Sequence, residues 1–153
     1  MHCLFDTGIL LRLFDRSDPN HATVRESVRL LHRIGHQPVI AIQNAVVFWN
    51  VMTRPAAARG GFGLSVATTH RRLQHLRRRF AVLAENLLVF DEWMRITAAH
   101  GVSGRAVHDA RLVAQMLVSQ VPTILTLNPG DFRRYSAISV VTPMEFLAAN
   151  AAP

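Results

Sequence analysis

Five short β-prone runs, HCLF, PVIAI, NLLVF, TILTL and AISVV, alternate along the chain with stretches of helical periodicity. The helical stretches lie near residues 8–15, 20–35, 43–53, 64–80, 91–100, 108–119 and 143–149. Strands that alternate with helices imply an α/β chain whose parallel sheet is covered on both faces. Local punctuation agrees. Ser17-Asp18-Pro19 reads as a helix opening, Gly35 as that helix's end and Pro143 as the start of the last helix. In sheets of this kind the ligand site lies beyond the carboxyl ends of the strands. With 153 residues and no repeat or linker, the chain is expected to form one domain over 1–153.

Reading the ends of those runs gives a short list of acids. HCLF leads into Asp6, NLLVF into Asp91 and Glu92, and TILTL into Asn128 and then Asp131 within LTLNPGDFRRY. Asp6 has two readings, as the cap of the following helix or as a chemical group. Asp109, in HDARLVAQMLVSQ, falls on the same side of its helix as Leu112, Val113 and Met116. A carboxylate on an apolar face is costly unless it is paired or binds a cation. Its first-turn position offers the alternative that the helix dipole satisfies it. Should Asp6, Asp109 and Asp131 converge, their mutual repulsion calls for a cation or a retained proton. Hard oxygen donors without clustered cysteine suit Mg²⁺ or Mn²⁺. No HExxH or Cys/His spacing accompanies the eight histidines, so zinc is not indicated.

The stretch AIQNAVVFWNVMTRP contains an anomaly. At about 100° per residue, Ala45, Phe48, Trp49 and Met52 share one helical face. Gln43, Asn50 and Arg54 gather opposite, with Val47 in their middle. Either Val47 packs against a neighbouring loop, or a polar ligand has been lost from this stripe.

Charge adds a direction. Seventeen basic residues against ten acidic ones give a formal net of +7. That balance favours a polyanionic or acidic partner, or serves solubility alone. The basic residues are all arginine, which suits phosphate. In THRRLQHLRRRF, Leu73, Leu76 and Phe80 form one face, and Arg71, Arg72, Arg78 and Arg79 cluster roughly opposite, with Arg77 to one side. Such a stripe either tracks phosphates or is simply solvated. GGFG at 60–63 lacks the spacing of a nucleotide-binding loop and reads as a flexible turn. No apolar run reaches the length of a membrane span, the single Cys3 reads as an inert core residue, and a cytoplasmic location is expected.

Asp6-Thr7 after the first strand, QNAVVFWNVMTRP, VSGRAVHDARLVAQM and ILTLNPGDFRRY together resemble a PIN domain. Within that superfamily they are similar to the VapC-like toxins of bacterial type II toxin–antitoxin modules. The resemblance runs from Cys3 to Pro143. It implies a three-layer α/β/α sandwich with a central parallel sheet. It also implies a Mg²⁺-dependent (or Mn²⁺-dependent) endoribonuclease, cleaving RNA phosphodiester bonds to 5′-phosphate and 3′-hydroxyl products. The expected partners are RNA, a cognate small antitoxin and a second copy in a homodimer. The family's acidic cluster maps onto Asp6, Asp109 and the Asn128–Asp131 segment, either end of which is open as a metal ligand. The resemblance also lets Thr7 and Thr126 hydrogen-bond ligands or phosphate, and makes Gln43, Asn50 and Arg54 the metal site's neighbours on their own helix.

Two departures stand out. Gly8 takes the place where the family often has Asn. More seriously, the family pattern resembles QNxxEFWNVxTRP, and its glutamate position is Val47 here. On this resemblance the polar stripe is a metal-site face without its central ligand, and cleavage is expected to be weakened. The alternative is a catalytically inactive protein of the same fold that acts through antitoxin pairing or RNA binding. A phosphatase of the haloacid-dehalogenase kind, superficially suggested by FDTG, lacks its second aspartate because Gly8 stands there.

Overall fold

A computed structural model describes residues 1–151. The elements run β1 (His2–Phe5), α1 (Thr7–Arg12), α2 (His21–Arg33), β2 (Gln37–Ile40), α3 (Ile42–Thr53), α4 (Val66–Arg79) and β3 (Ala81–Val82). They continue with α5 (Leu87–Ala99), α6 (Ala106–Val118), β4 (Thr123–Leu125), a 3-10 turn (Pro129–Asp131), β5 (Ser139–Val141) and α7 (Pro143–Ala149). The strands form one five-stranded sheet in the order β3-β2-β1-β4-β5. Every pairing is parallel, with Leu4 opposite Val39 on one side and Ile124 on the other. This is the expected three-layer α/β/α sandwich.

Alternation along the strands divides the core in two. Cys3, Phe5, Ile40 and Leu125 point to one face and meet Ile9, Leu10, Val28, Phe48, Leu76 and Phe146 from α1–α4 and α7. Leu4, Val39 and Ile124 point to the other and meet Val89, Ile96, Val113 and Met116 from α5 and α6. The period of two in side-chain direction therefore sets both helical layers. Burial pushes the Cys3 thiol up to about 12, so it stays protonated inside the core.

Three local expectations are corrected. NLLVF is no strand: Asn86 caps α5, its Oδ1 accepting from Leu88 N and Val89 N at 3.0 and 3.4 Å. Asp91 and Glu92 therefore lie inside α5 and not at the end of a strand, and Glu92 pairs with Arg95 at 2.6 Å. A short apolar run has no period of its own, so the cap decides. The edge strand is instead the two-residue β3, too short to show a pattern. Asp18 does not cap α2 directly; that helix starts at His21, while Asp18 accepts from Asn20 N at 2.8 Å and pairs with Arg12 at 3.0 Å. GGFG is a fixed turn: Phe62 N and Gly63 N donate to Val51 O and Arg54 O at 3.1 and 2.8 Å. A Cβ at Gly61 would collide with the carbonyl oxygens of Arg54 and Pro55, so only glycine fits.

Candidate active site

The strand order turns back between β1 and β4, which opens a crevice beyond their carboxyl ends. Asp6 stands at the end of β1. Its backbone N–H extends the ladder to Leu125 O at 3.0 Å. Its Oδ1 accepts from Thr7 N at 2.6 Å, and its Oδ2 accepts from the Thr126 hydroxyl at 2.7 Å. Asp6 thus caps α1 with one oxygen while the other is held across the crevice. The fully buried Thr126 also accepts from Asn128 N at 3.0 Å, fixing the start of the segment that carries Asp131.

Asp109 reaches the same edge on the first turn of α6, the helix that returns to feed β4. It is half-buried, and among the described residues its carboxylate makes no hydrogen bond or ion pair. Burial, then the charges of Asp131 and Asp6, raise its pKa from 3.8 to about 6, against smaller opposing effects of His108 and Arg105. Asp6 is also pushed up, first by burial and then by Asp131, against the hydrogen bonds from Thr126 and Thr7. Asp131 lies exposed in the 3-10 turn after β4. Carboxylates from β1, α6 and that turn therefore feel one another's charge at one edge of the sheet, although 103 positions separate Asp6 from Asp109.

Around this cluster the polar residues of α3 divide. Gln43 is only 9% exposed and does not belong to a solvated stripe. Its Nε2 donates to His108 O at 2.8 Å and its Oε1 accepts from Arg111 Nη1 at 2.9 Å. Arg111 in turn pairs with Glu85. Gln43 therefore ties α3 to the carbonyl immediately before Asp109, and acts on position rather than on substrate. Arg54 turns onto its own loop, Nη1 donating to Arg59 O at 3.2 Å. Asn50 is exposed and Val47 is half-buried one turn beyond Gln43. Asp6 meets Thr126 and Thr7 directly, Asp109 and Asp131 lie near enough at the same edge for their charges to act on it and on each other, and Arg54 is engaged elsewhere.

Two contributors escaped the sequence reading. Asn44 is fully buried; its Oδ1 accepts from Ala41 N at 2.8 Å and its Nδ2 donates to the Thr7 hydroxyl at 3.2 Å. It thereby locks the start of α3 to the residue after Asp6. Ala41 has no side-chain acceptor, so this is a one-sided version of a capping box, in which the return bond alone is made. The signal was an amide three residues into a helix whose own cap position is apolar. Arg111 gave no local signal, because its partners lie in α3 and the segment before α5.

The donor chemistry fits a hard divalent cation: oxygen ligands, with two charged carboxylates whose raised pKa values a nearby positive charge would relieve. It does not fit a closed protein cage. Among the described residues, no three His, Cys, Asp or Glu side chains stand close enough to hold one ion. One ion shared with substrate phosphate needs only one or two protein carboxylates.

Known structures and families agree with this architecture. Chains with the same fold include VapBC2 from Rickettsia felis bound to a promoter DNA fragment, at 10% identity and TM-score 0.69, covering 93% of this chain and 98% of that one. VapBC-1 from nontypeable Haemophilus influenzae follows at 15% and 0.68, covering 94% and 99%. A toxin–antitoxin complex from Klebsiella pneumoniae matches at 19% and 0.60, covering 92% and 97%. A search of curated proteins finds no significant sequence match. The PIN domain family model matches residues 3–138, a span that holds nearly the whole sandwich with Asp6, Asp109 and Asp131, and the chain belongs to the PIN-domain family.

Proposed function

We propose that this protein is a VapC-like toxin, a Mg²⁺-dependent endoribonuclease whose cleavage is weakened by Val47. The observation that carries the reading is the mutual repulsion of Asp6, Asp109 and Asp131 at the carboxyl edge of β1 and β4. Asp6 also caps α1, but Asp109 and Asp131 have no side-chain partner among the described residues, and no bond of theirs offsets the repulsion. The structural neighbours are toxin–antitoxin assemblies, which supports a small antitoxin as partner; a homodimer is proposed from the family resemblance alone.

Asp6 and Asp109 would hold the ion. When bound, Mg²⁺ or Mn²⁺ supplies polarisation of the scissile phosphate and a lowered pKa for the attacking water. Thr126 and Thr7 N keep the Asp6 carboxylate oriented, so its oxygens need not reorganise when substrate arrives. Asp131, exposed in the 3-10 turn with its backbone N–H bonded to Asn128 O at 3.2 Å, would orient water or accept its proton, with Asn128 at the head of the same turn. Asn50 remains available to phosphate because it is exposed.

Val47 favours a second reading, a PIN-fold protein that binds antitoxin or RNA without cleaving. The same pair of assays separates the two. Purified protein and Val47→Glu are compared for RNA cleavage with Mg²⁺, with Mn²⁺ and with EDTA. The nuclease reading expects weak metal-dependent cleavage by the native protein, more by Val47→Glu, and none by Asp109→Asn. Cleavage that survives Asp109→Asn comes from a contaminant. No cleavage by native protein, restored in Val47→Glu, establishes the binding-only reading.

A further inference from the structure

No side-chain bond of its own holds Asp109 where it stands. Asp131 and Asp6 repel its carboxylate, which makes no hydrogen bond or ion pair among the described residues. Local structure does little to fix the turn that carries it. Arg105 at the N-cap of α6 makes no side-chain capping bond, and the chain enters the helix through Gly101 and Gly104, both with positive φ. The bonds that hold this turn come from other helices. The Trp93 indole Nε1, on α5, donates to Val107 O at 3.0 Å, and Gln43 Nε2, on α3, donates to His108 O at 2.8 Å. These are the two carbonyls immediately before Asp109, and a carbonyl oxygen has a second lone pair beyond the one its helix uses.

We propose that Trp93 is a positioning residue for Asp109, clamping the first turn of α6 together with Gln43 and so holding that carboxylate at the acidic edge against its neighbours' charge. Successive carbonyls lie about 100° apart around a helix, so the two donors grip the turn from different directions. With Gln43 alone the turn could roll about a single bond; the bond from Trp93 removes that freedom. Its donor stands on a firm support, because Val89 and Ile96 of α5 pack in one core with Val113 and Met116 of α6. The indole itself is only half-buried, beside Phe90 at 6.0 Å between ring centroids. Phenylalanine keeps an aromatic ring there and loses the N–H. That the held carboxylate serves a metal rests on the nuclease reading above; that it is held against repulsion does not.

The test is a double-mutant cycle on Trp93→Phe and Asp109→Asn, read in two ways without RNA. The first is thermal melting in EDTA at pH 7.5. Asp109→Asn relieves the repulsion and raises the melting temperature of the native background. In the Trp93→Phe background the released carboxylate has already withdrawn, so the gain should fall to about half or less. A tryptophan that merely fills space gives the same gain in both backgrounds. The second is Mn²⁺ binding by titration calorimetry. Trp93→Phe should weaken it about tenfold, the usual scale for losing a group that orients a ligand. Asn86→Ala, which loosens α5 by removing bonds within that helix only, should bind Mn²⁺ as the native protein does. If Trp93→Phe melts too early to compare, the benzothiophene analogue of tryptophan, of the same shape and without the N–H, takes its place at 93. An unchanged Asp109→Asn gain overturns the inference. So does a Mn²⁺ affinity that Trp93→Phe leaves unaltered, or that Trp93→Phe and Asn86→Ala lower alike. Coupled melting in a protein that neither binds Mn²⁺ nor cleaves RNA leaves the clamp standing and sinks the nuclease; metal-dependent cleavage with additive melting does the reverse.

Discussion

Replacing Asp109 by asparagine should stabilise the metal-free protein at neutral pH, an unusual outcome for a change at a candidate catalytic group. The native carboxyl titrates at about 6 against an ordinary 3.8, because burial and two neighbouring aspartates disfavour its charge. A rise of that size corresponds to about 3 kcal/mol between the two protonation states. Asp109 is only half-buried, and solvent screening reduces this to about 1.5 kcal/mol. The sign follows from linkage. Between pH 4 and 6 the folded state holds the proton more tightly than the unfolded chain, so stability falls as pH rises through that window. The benefit is complete below the unfolded pKa and gone above the folded one. Asparagine carries no charge and lacks this loss. Thermal unfolding in EDTA at pH 4, 6 and 7.5 should therefore show native protein and Asp109→Asn melting together at pH 4. At pH 7.5 the variant should lead by about 4 °C, given the usual scaling for a chain of this length. Added Mg²⁺ should narrow the gap by stabilising the native protein more than the variant. A variant that melts below native protein at pH 7.5 without metal, or a gap that does not change with pH, would refute the picture of coupled carboxylates.

Three further outcomes test the supports of the site. Thr126→Val removes the hydroxyl that donates to Asp6 and accepts from Asn128 N; denaturant unfolding should show a loss of about 1–3 kcal/mol, the cost of leaving buried partners unpaired. Gln43→Ala frees His108 O and Arg111 together, so stability should fall by about 1–2 kcal/mol and cleavage should drop, with Gln43→Glu restoring the bond to Arg111 but not the one to His108 O. Asn86→Ala deletes the cap of α5 and should cost about 1 kcal/mol in chemical unfolding while leaving RNA cleavage unchanged.

Much of this molecule was written in local pattern. The alternation of apolar runs and helical stretches dictates a parallel sheet covered on both faces, since parallel neighbours must be joined by crossovers. Asp6 and Asn128 could be placed at strand ends, and Asp109 on the inward side of its helix, because periodicity reports which way a side chain leaves the backbone. Local pattern failed where two conformations share one composition: Leu87 to Phe90 are as apolar as a strand, and only the bonds made by Asn86 settle them as helix. At Gln43 it stopped at a place on the face beside the site, and only the packing of α6 supplied its partners, His108 O and Arg111. The sequence by itself determined the layer order and the candidate acids, because both depend on spacing along one segment. Only tertiary structure decided that Asp6, Asp109 and Asp131 share an edge, that Asn44 and Arg111 lock it, and that Trp93 and Gln43 bond the two carbonyls before Asp109. Those facts depend on distances through space between residues far apart in the chain, and electrostatic coupling follows distance through space, whatever the separation in sequence.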